Sequence, residues 1–306
     1  ALLGASGWGG SPKGAGGWIR FLQPPELPIR SRMAEKGEPG LTYGSYLKIP
    51  ELLKLQQPVA DPPRHDETLF ILVHQSYELW FKQMLHEIDA AIPHIDADHV
   101  AEGTRLLDRV VEILRPLISQ VRILETMRPT DFLGFRYHLN PASGFQSVQF
   151  REIEFVLGMK DADICARLAC EREESARLRR RLESRTVSDA FDALLVRRGL
   201  APLSATERAG AARAVVEEDW RLKALLQVYE GPPSHADLLA LAEVLVDIDE
   251  CLSLWRAHHV QMVERMIGIK RGTGGSDGVA YLRGTLPKRA FPDLWRVRTH
   301  LGSGQP

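Results

Sequence analysis

The amino-acid sequence predicts an all-α protein built from long helices. From Leu41 onward, apolar residues recur every three or four positions, which is the period of an amphipathic helix. The alternating β-branched and aromatic runs that indicate strands are nearly absent. Hydrophobic residues make up 44% of the 306 positions and charged residues 26%, as in an ordinary globular protein. We therefore expect one helical domain over 41–306 with a sizeable core.

Eight helices are predicted, each bounded by a break that contains Pro, Gly or Asp. They cover residues 43–56, 64–92, 98–126, 143–157, 161–184, 188–198, 205–229 and 234–268. The third carries an apolar stripe for packing against its neighbours, formed by Leu106, Val110, Ile113, Leu117, Val121 and Leu124. Charged residues dominate 171–185, so we interpret this segment as a solvated helix. The stretch 160–235 is a candidate for a protruding helical subdomain.

The first 40 residues differ in composition from the rest of the chain. They are rich in Gly, Ala and Ser and lack a periodic pattern, so we interpret 1–40 as a flexible N-terminal extension, with Met33 as a candidate natural start. No apolar core and cleavage site of a secretory signal is present, which favours a cytoplasmic location. The three cysteines, Cys165, Cys170 and Cys251, lack CxxC spacing, and we expect buried free thiols in a reducing compartment.

The charge balance and the hydropathy exclude two classes of partner. The chain has 39 Lys and Arg against 40 Asp and Glu, a net charge of -1, so it lacks the positive field that a nucleic-acid-binding protein uses. The longest apolar runs, such as 69–73, are far too short to cross a bilayer. We expect neither a nucleic-acid partner nor a membrane partner.

Two histidines lie on the apolar faces of separate long helices. His74 shares its face with Phe70, Tyr77, Phe81 and Leu85. His259 shares its face with Ile248, Leu252, Trp255, Met262 and Met266, whereas its neighbour His258 is rotated about 100° away. A single histidine of this kind is more often a core side chain, but burial of an imidazole is unfavourable unless its nitrogens find partners. Two such histidines favour a metal cofactor, and a large flat one such as haem would fill the space between them.

Other metal sites can be tested against the sequence. No glutamate has a histidine three residues later, which excludes the Glu-x-x-His pairs of di-iron bundles. The HExxH motif of metalloproteases is absent, because no second histidine follows His86 and Glu87 at the required spacing. A thiolate-ligated haem would need a proximal cysteine. Cys251 is the one candidate, and His259 is favoured over it.

Two further segments carry candidate ligand-binding groups. The run from Lys270 to Gly278 holds four glycines and does not match a phosphate-binding motif. It is either a helix end with a loop or a flexible loop that closes over a small molecule, with the Thr273 hydroxyl as a partner. Arg136 lies among phenylalanines, either as a planar fork for a carboxylate or as a surface ion-pair residue. Composition alone favours the interpretation of Arg136 as a surface ion-pair residue.

A series of motifs resembles the tryptophan 2,3-dioxygenase family. The motifs are LTYGSYL at 41–47, HDE followed by HQSYELWFKQ within 65–83, LETMRP and FR within 124–136, PASGFQSVQFR at 141–151, and WRAHHV, RMIG and RGTGGSDG within 255–278. The similarity spans about 41–158 and 244–300, with a divergent middle. It implies a long-helix bundle with a haem pocket that adds O2 across the indole C2–C3 bond of L-tryptophan to give N-formyl-L-kynurenine.

The resemblance also implies a role for each matching residue of the pocket. His259 matches the proximal axial ligand of haem b (iron protoporphyrin IX), and His74 matches the distal histidine beside the indole nitrogen. Phe70 corresponds to an aromatic residue that packs on the indole. Arg136 corresponds to the residue that binds the substrate carboxylate, and Thr273 to the loop residue at the amino-acid end.

Other positions match a segment that contacts a neighbouring subunit, and two positions differ from the family pattern. Tyr43, Tyr46 and Leu47 match an N-terminal segment that completes a neighbouring subunit's pocket in a homotetramer. Phe132 occupies a substrate-binding position where some members have a Tyr that assists with the carboxylate. Asp277 stands where many members have Ser, and we expect it to cap the helix that follows.

The weak acidity of the indole N–H limits the role that His74 can play in the reaction. An indole N–H is a very weak acid and imidazole titrates near 6.5, so we expect His74 to orient the indole by a hydrogen bond rather than to remove its proton. Two alternatives stay open at this point. One is a related haem enzyme that inserts a single oxygen to give an oxindole or that acts on a substituted tryptophan. The other is a helical scaffold protein whose histidines are packing residues.

Overall fold

The computed structural model describes residues 40–168, 172–200, 217–273 and 277–302. Within these ranges the regular elements are helices and no strand occurs, which confirms the all-α class. The N-terminal extension, Cys170 and the start of the helix predicted at 205–229 lie outside the described residues. No helix of the described ranges is long and apolar enough to cross a membrane. By packing, the chain divides into two units, Ala1–Leu53 and Lys54–Pro306.

The first unit contains two short helices, α1 (Tyr43–Tyr46) and α2 (Ile49–Leu52), where the sequence predicted one helix over 43–56. That prediction is wrong because Lys48 between them adopts the left-handed conformation, with φ of 53°, and Pro50 lies in the first turn of the second helix. The Thr42 side chain accepts a hydrogen bond from the Ser45 N–H and caps α1.

The second unit begins with two long helices and a series of shorter ones. Its helices are α3 (His65–Asp96), α4 (Val100–Leu124), α5 (Pro129–Arg136), α6 (Val148–Leu157), α7 (Ala162–Arg167), α8 (Arg172–Glu183), α9 (Val187–Arg197), α10 (Glu217–Glu230), α11 (Ala236–Ile267), α12 (Val279–Arg283) and α13 (Pro292–Arg296). The predicted long helices are confirmed, whereas α5, α12 and α13 were missed because each is too short to display a helical period. The segment predicted as one helix at 161–184 contains α7 and α8.

The core forms around α4, which packs against α3 on one side and α11 on the other. All six apolar residues of the predicted α4 stripe are buried, from Leu106 to Leu124. On α3 and α11 the predicted inward faces are buried along most of their length, including Tyr77, Phe81 and Leu252. Phe70 and His74 on α3 and His259 on α11 are only partly buried. These exceptions mark the place where the facing helices enclose a cavity.

The region proposed as a protruding subdomain packs partly on the bundle. Helix α8 packs on α6 through a small apolar cluster that includes Phe155, Ile164 and Leu178. Helix α9 packs on α3, and its Phe191 and Leu194 belong to the main core. The centre of the region, 201–216, lies outside the described residues, so a protruding part stays a prediction.

Asp249 of α11 joins the C-terminal segment to the bundle. Its side chain is 1% exposed. The carboxylate accepts hydrogen bonds from the backbone N–H of Ala290 at 2.7 Å and of Phe291 at 2.9 Å, and from the Trp295 indole N–H at 3.3 Å. Burial raises the pKa of this carboxyl, and the three donors oppose that effect. The segment before α13 therefore depends on one buried acceptor.

We expect Asp249→Ala to lower the free energy of unfolding by about 3 kcal/mol, because the substitution leaves buried N–H groups without partners. Chemical denaturation monitored by circular dichroism measures the loss. Glu250→Ala, at the exposed neighbouring position of the same helix, is the control and should change the stability by about 0.5 kcal/mol at most. Equal losses in the two variants would refute the role assigned to Asp249.

Candidate active site

A cavity of about 530 Å³ opens inside the second unit, between α3, α5, α6, α11 and α12. This volume lies in the range of sites that hold small molecules and cofactors. Six of the predicted site residues line it: Phe70, His74, Phe132, Arg136, His259 and Thr273. The other three, Tyr43, Tyr46 and Leu47, belong to the first unit, where they are exposed. Two histidines far apart in sequence thus face one cavity, as the helix patterns predicted.

The His74 ring is held in one tautomer by its own helix. Its Nδ1 lies 2.7 Å from the backbone carbonyl oxygen of Phe70, one turn earlier. A carbonyl oxygen only accepts, so Nδ1 carries the proton and Nε2 is left as an acceptor. Burial lowers the pKa of His74 below its ordinary value of 6.5, while the Phe70 carbonyl and the Glu78 carboxylate oppose the shift. The ring is therefore neutral at pH 7.

The His259 ring is fixed by stacking. Its centroid lies 5.2 Å from that of Trp255, one turn earlier on α11, and the two planes differ by 9°. Burial lowers the pKa of His259 to about 4, and the charge of His74 acts in the same direction. No hydrogen bond to its ring nitrogens occurs among the described residues. His258 is exposed, as the helical period predicted.

Phe70 and Phe132 line the His74 side of the cavity, and the fully buried Phe135, outside the lining, packs against both. The Phe70 ring lies 4.0 Å from the His74 ring and 5.6 Å from each of the Phe132 and Phe135 rings. Phe132 and Phe135 contact each other edge to face at 5.3 Å. This wall offers an apolar slot for a flat ring, with one polar atom, the Nε2 of His74.

Arg136 is buried, which overturns its interpretation as a surface ion-pair residue. It is 7% exposed and ends α5, a helix that contacts both α3 and α11. Within the described ranges it forms no ion pair, and its guanidinium donates to the backbone carbonyl of Arg271. An Arg that is buried without a carboxylate partner is rare unless an anion is its ligand.

The glycine-rich segment lies against the same wall. The Thr273 hydroxyl donates to the Ala142 carbonyl at 2.6 Å. A side chain at Gly278 would meet the Lys270 carbonyl at 2.5 Å, and its φ of 58° also favours glycine. The predicted capping role of Asp277 is wrong, because Gly278 is the residue that precedes α12 and no side chain caps that helix. Residues 274–276 lie outside the described residues.

An ion cluster that the sequence analysis missed forms another wall. Arg151 and Arg256 both bind Glu154, at 2.7 and 2.9 Å, and all three side chains are buried. Glu78, one turn after His74, accepts hydrogen bonds from Ser147 at 2.6 Å and Gln149 at 2.8 Å. The spacing of Arg151 and Glu154 on one helix face was the available signal, although such pairs are usually exposed. No group of three or more His, Cys, Asp or Glu side chains in the described ranges could hold a metal ion.

Comparisons with known proteins agree with this site. The model of a family described as tryptophan 2,3-dioxygenase matches residues 30–206 and 164–301. A relative of that name from a Nocardioides species is 47% identical over 272 residues, which cover 87% of this chain and 97% of the relative. Another from Herpetosiphon aurantiacus is 44% identical, over 85% of this chain and 98% of its own. A third from Xanthomonas euvesicatoria is 42% identical, over 87% of this chain and 90% of the relative.

The helical scaffold, its cavity and these matches define an enzyme, an oxidoreductase of the dioxygenase class. Within that class, the chain belongs to the tryptophan 2,3-dioxygenase family. The resemblance drawn from the sequence motifs is confirmed. The matched ranges also run through the middle section that had looked divergent.

Proposed function

We propose that the chain is a haem-dependent dioxygenase that adds both atoms of O2 across the indole C2–C3 bond of L-tryptophan and releases N-formyl-L-kynurenine. The observation that carries the proposal is the convergence of His74, His259, Arg136 and the phenylalanines on one cavity. The names of the relatives favour this reaction over the formation of an oxindole. By the family resemblance the enzyme is a cytoplasmic homotetramer.

The residues around His259 fit haem b. Its imidazole is neutral at pH 7 and faces the cavity without a partner among the described residues, so a ring nitrogen has a lone pair for iron. Apolar residues near it in the lining, including Trp255, Val260 and Val263, suit the faces of a macrocycle. Cys251, the alternative ligand, is not among the cavity-lining residues. Ferrous haem would supply the activation of O2, and the protein supplies binding and orientation.

His74 orients the indole through a hydrogen bond. Because Nδ1 donates to the Phe70 carbonyl, the free Nε2 accepts the N–H of the indole. The bond fixes which edge of the ring faces the reaction site and leaves the proton on the indole. Phe70 and Phe132 supply the apolar faces of the slot, and no phenol at position 132 contributes to carboxylate binding.

Arg136 and Thr273 recognise the amino-acid head group. The planar guanidinium of Arg136 binds the carboxylate as a charged fork. The Thr273 hydroxyl already donates to Ala142, so its oxygen is left as an acceptor and fits the ammonium group. Tyr43, Tyr46 and Leu47, which are 78%, 70% and 41% exposed, complete a neighbouring subunit's pocket in the proposed tetramer.

The most direct test of the reaction uses the purified, anaerobically reduced protein with L-tryptophan and O2, followed by mass analysis of the product. A gain of two oxygen atoms is expected. A gain of one would indicate the oxindole alternative, and the absence of both a product and a Soret band after expression with haem supply would support a helical scaffold protein.

We expect His74→Ala to lower turnover of L-tryptophan about tenfold without abolishing it, since one hydrogen bond is lost. The matched control is 1-methyltryptophan, which lacks the indole N–H and should be affected little by the substitution. In the wild type, kcat/KM should fall with acidity below pH 6.5, as His74 gains a proton at Nε2 and can no longer accept. That acidic limb should vanish in His74→Ala. Complete loss of turnover with haem intact would contradict the orienting role.

A further inference from the structure

Glu78 links α3 to the start of α6 in the wall of the cavity. It lies on α3 one turn after His74, and both residues line the cavity. One carboxylate oxygen accepts a hydrogen bond from the Ser147 hydroxyl at 2.6 Å, and the other accepts one from the Gln149 side-chain amide at 2.8 Å. The same amide also donates to the Glu78 backbone carbonyl, at 2.8 Å. A carboxylate makes stronger hydrogen bonds than a neutral acceptor, so this contact ties the two helices together.

Residues 142–147, which we call the wall segment, lead into α6 and are connected by their own hydrogen bonds. The Ser143 N–H donates to the Gln146 side chain at 3.1 Å, and the Ser147 N–H donates to the Gly144 carbonyl at 3.2 Å. All six residues of the segment line the cavity. A displacement of Ser147 would therefore be transmitted along the segment.

The other end of the wall segment supports the proposed head-group site. The Ala142 carbonyl accepts a hydrogen bond from the Thr273 hydroxyl at 2.6 Å, and this bond leaves the hydroxyl oxygen of Thr273 as an acceptor. His74 is fixed on α3 by the Phe70 carbonyl. Glu78 thus connects the helix that orients the indole to the segment that supports the head-group site.

We propose that Glu78 is a positioning residue that acts through Ser147 and Gln149 and fixes the spacing between His74 and the head-group site. Each of its carboxylate oxygens already has a donor, which favours an anchoring role over direct contact with the substrate. The inference rests on the proposed function, because it takes L-tryptophan as the substrate. A small displacement of a bound substrate from its reactive geometry lowers the rate substantially.

The test is steady-state kinetics of the haem-loaded, full-length protein as wild type, Glu78→Ala, Glu78→Gln, Gln149→Ala and the double variant Glu78→Ala/Gln149→Ala. We expect Glu78→Ala to lower kcat/KM for L-tryptophan about tenfold, because hydrogen bonds to a charged acceptor are lost. Glu78→Gln keeps one acceptor oxygen and should lower it only about threefold. Because Gln149 belongs to the same contact, the double variant should lose no more than Glu78→Ala.

The inhibition constant of 3-methylindole, which has the indole ring and no head group, separates positioning from damage to the pocket. We expect it to change by less than about twofold in Glu78→Ala, since the substitution leaves Phe70 and Phe132 in place. Lys82→Ala, at the exposed position one turn further along α3, is the control. It should leave both the kinetics and the inhibition constant unchanged.

An unchanged kcat/KM in Glu78→Ala would overturn the assignment, as would losses that add in the double variant or equal losses for tryptophan and 3-methylindole. If Glu78→Ala fails to fold, Glu78→Gln and Gln149→Ala decide by the same measurements. A wild-type protein that does not convert L-tryptophan would instead refute the proposed function, so the two failures are distinguishable.

Discussion

Replacement of His259 by alanine is expected to lower the haem content of the purified protein at least about tenfold and to abolish turnover of L-tryptophan. The imidazole is the proposed protein ligand to iron, and among the described residues no cysteine lines the cavity and could replace it. The Soret absorbance per protein measures the loss. Added imidazole should restore part of the haem binding, because it can occupy the space that the side chain leaves.

The matched control is His258→Ala. This neighbouring histidine is exposed on the same helix, so its removal tests whether loss of any histidine here disturbs α11. The control should keep its haem. An unchanged Soret spectrum in His259→Ala would overturn the assignment of the axial ligand.

Arg136→Leu is expected to lower kcat/KM for L-tryptophan by about two to three orders of magnitude. Loss of one partner of a buried charged pair costs roughly 2–5 kcal/mol, and each 1.4 kcal/mol corresponds to about a factor of ten. Arg136→Lys should recover only part of the loss, because an ammonium keeps the charge and lacks the planar fork. Steady-state kinetics of the three proteins provide the measurement.

A ligand without the head group separates recognition from damage to the pocket. Binding of 3-methylindole, which has the ring of tryptophan and no carboxylate, should differ little between the wild type and Arg136→Leu. An equal loss for tryptophan and 3-methylindole would mean that the substitution collapses the phenylalanine wall, and the carboxylate role would be wrong.

The long helices and the two histidines were predictable because they depend on local periodicity. An imidazole at a position that repeats every three or four residues must share the face of its apolar neighbours, and the cavity residues His74 and His259 follow that rule. The role of Arg136 could not be predicted from the residues alone. Its burial is produced by α5 lying between α3 and α11, a contact between segments far apart in sequence.

Features that depend on single backbone conformations or on distant pairing were missed. The break at Lys48 requires one left-handed residue, which no periodic pattern displays. The ion cluster joins Arg256 of α11 to Glu154 of α6, 102 positions apart, so the sequence indicated only its local half.

In the proposed site, one cavity holds an iron porphyrin on His259 and leaves His74 for the substrate. The resonance Raman spectrum of the deoxygenated ferrous protein tests it most directly. An iron–histidine band that shifts on ¹⁵N labelling of histidine, disappears in His259→Ala and persists in His74→Ala is the predicted result. A band that persists in His259→Ala and disappears in His74→Ala would contradict the claim.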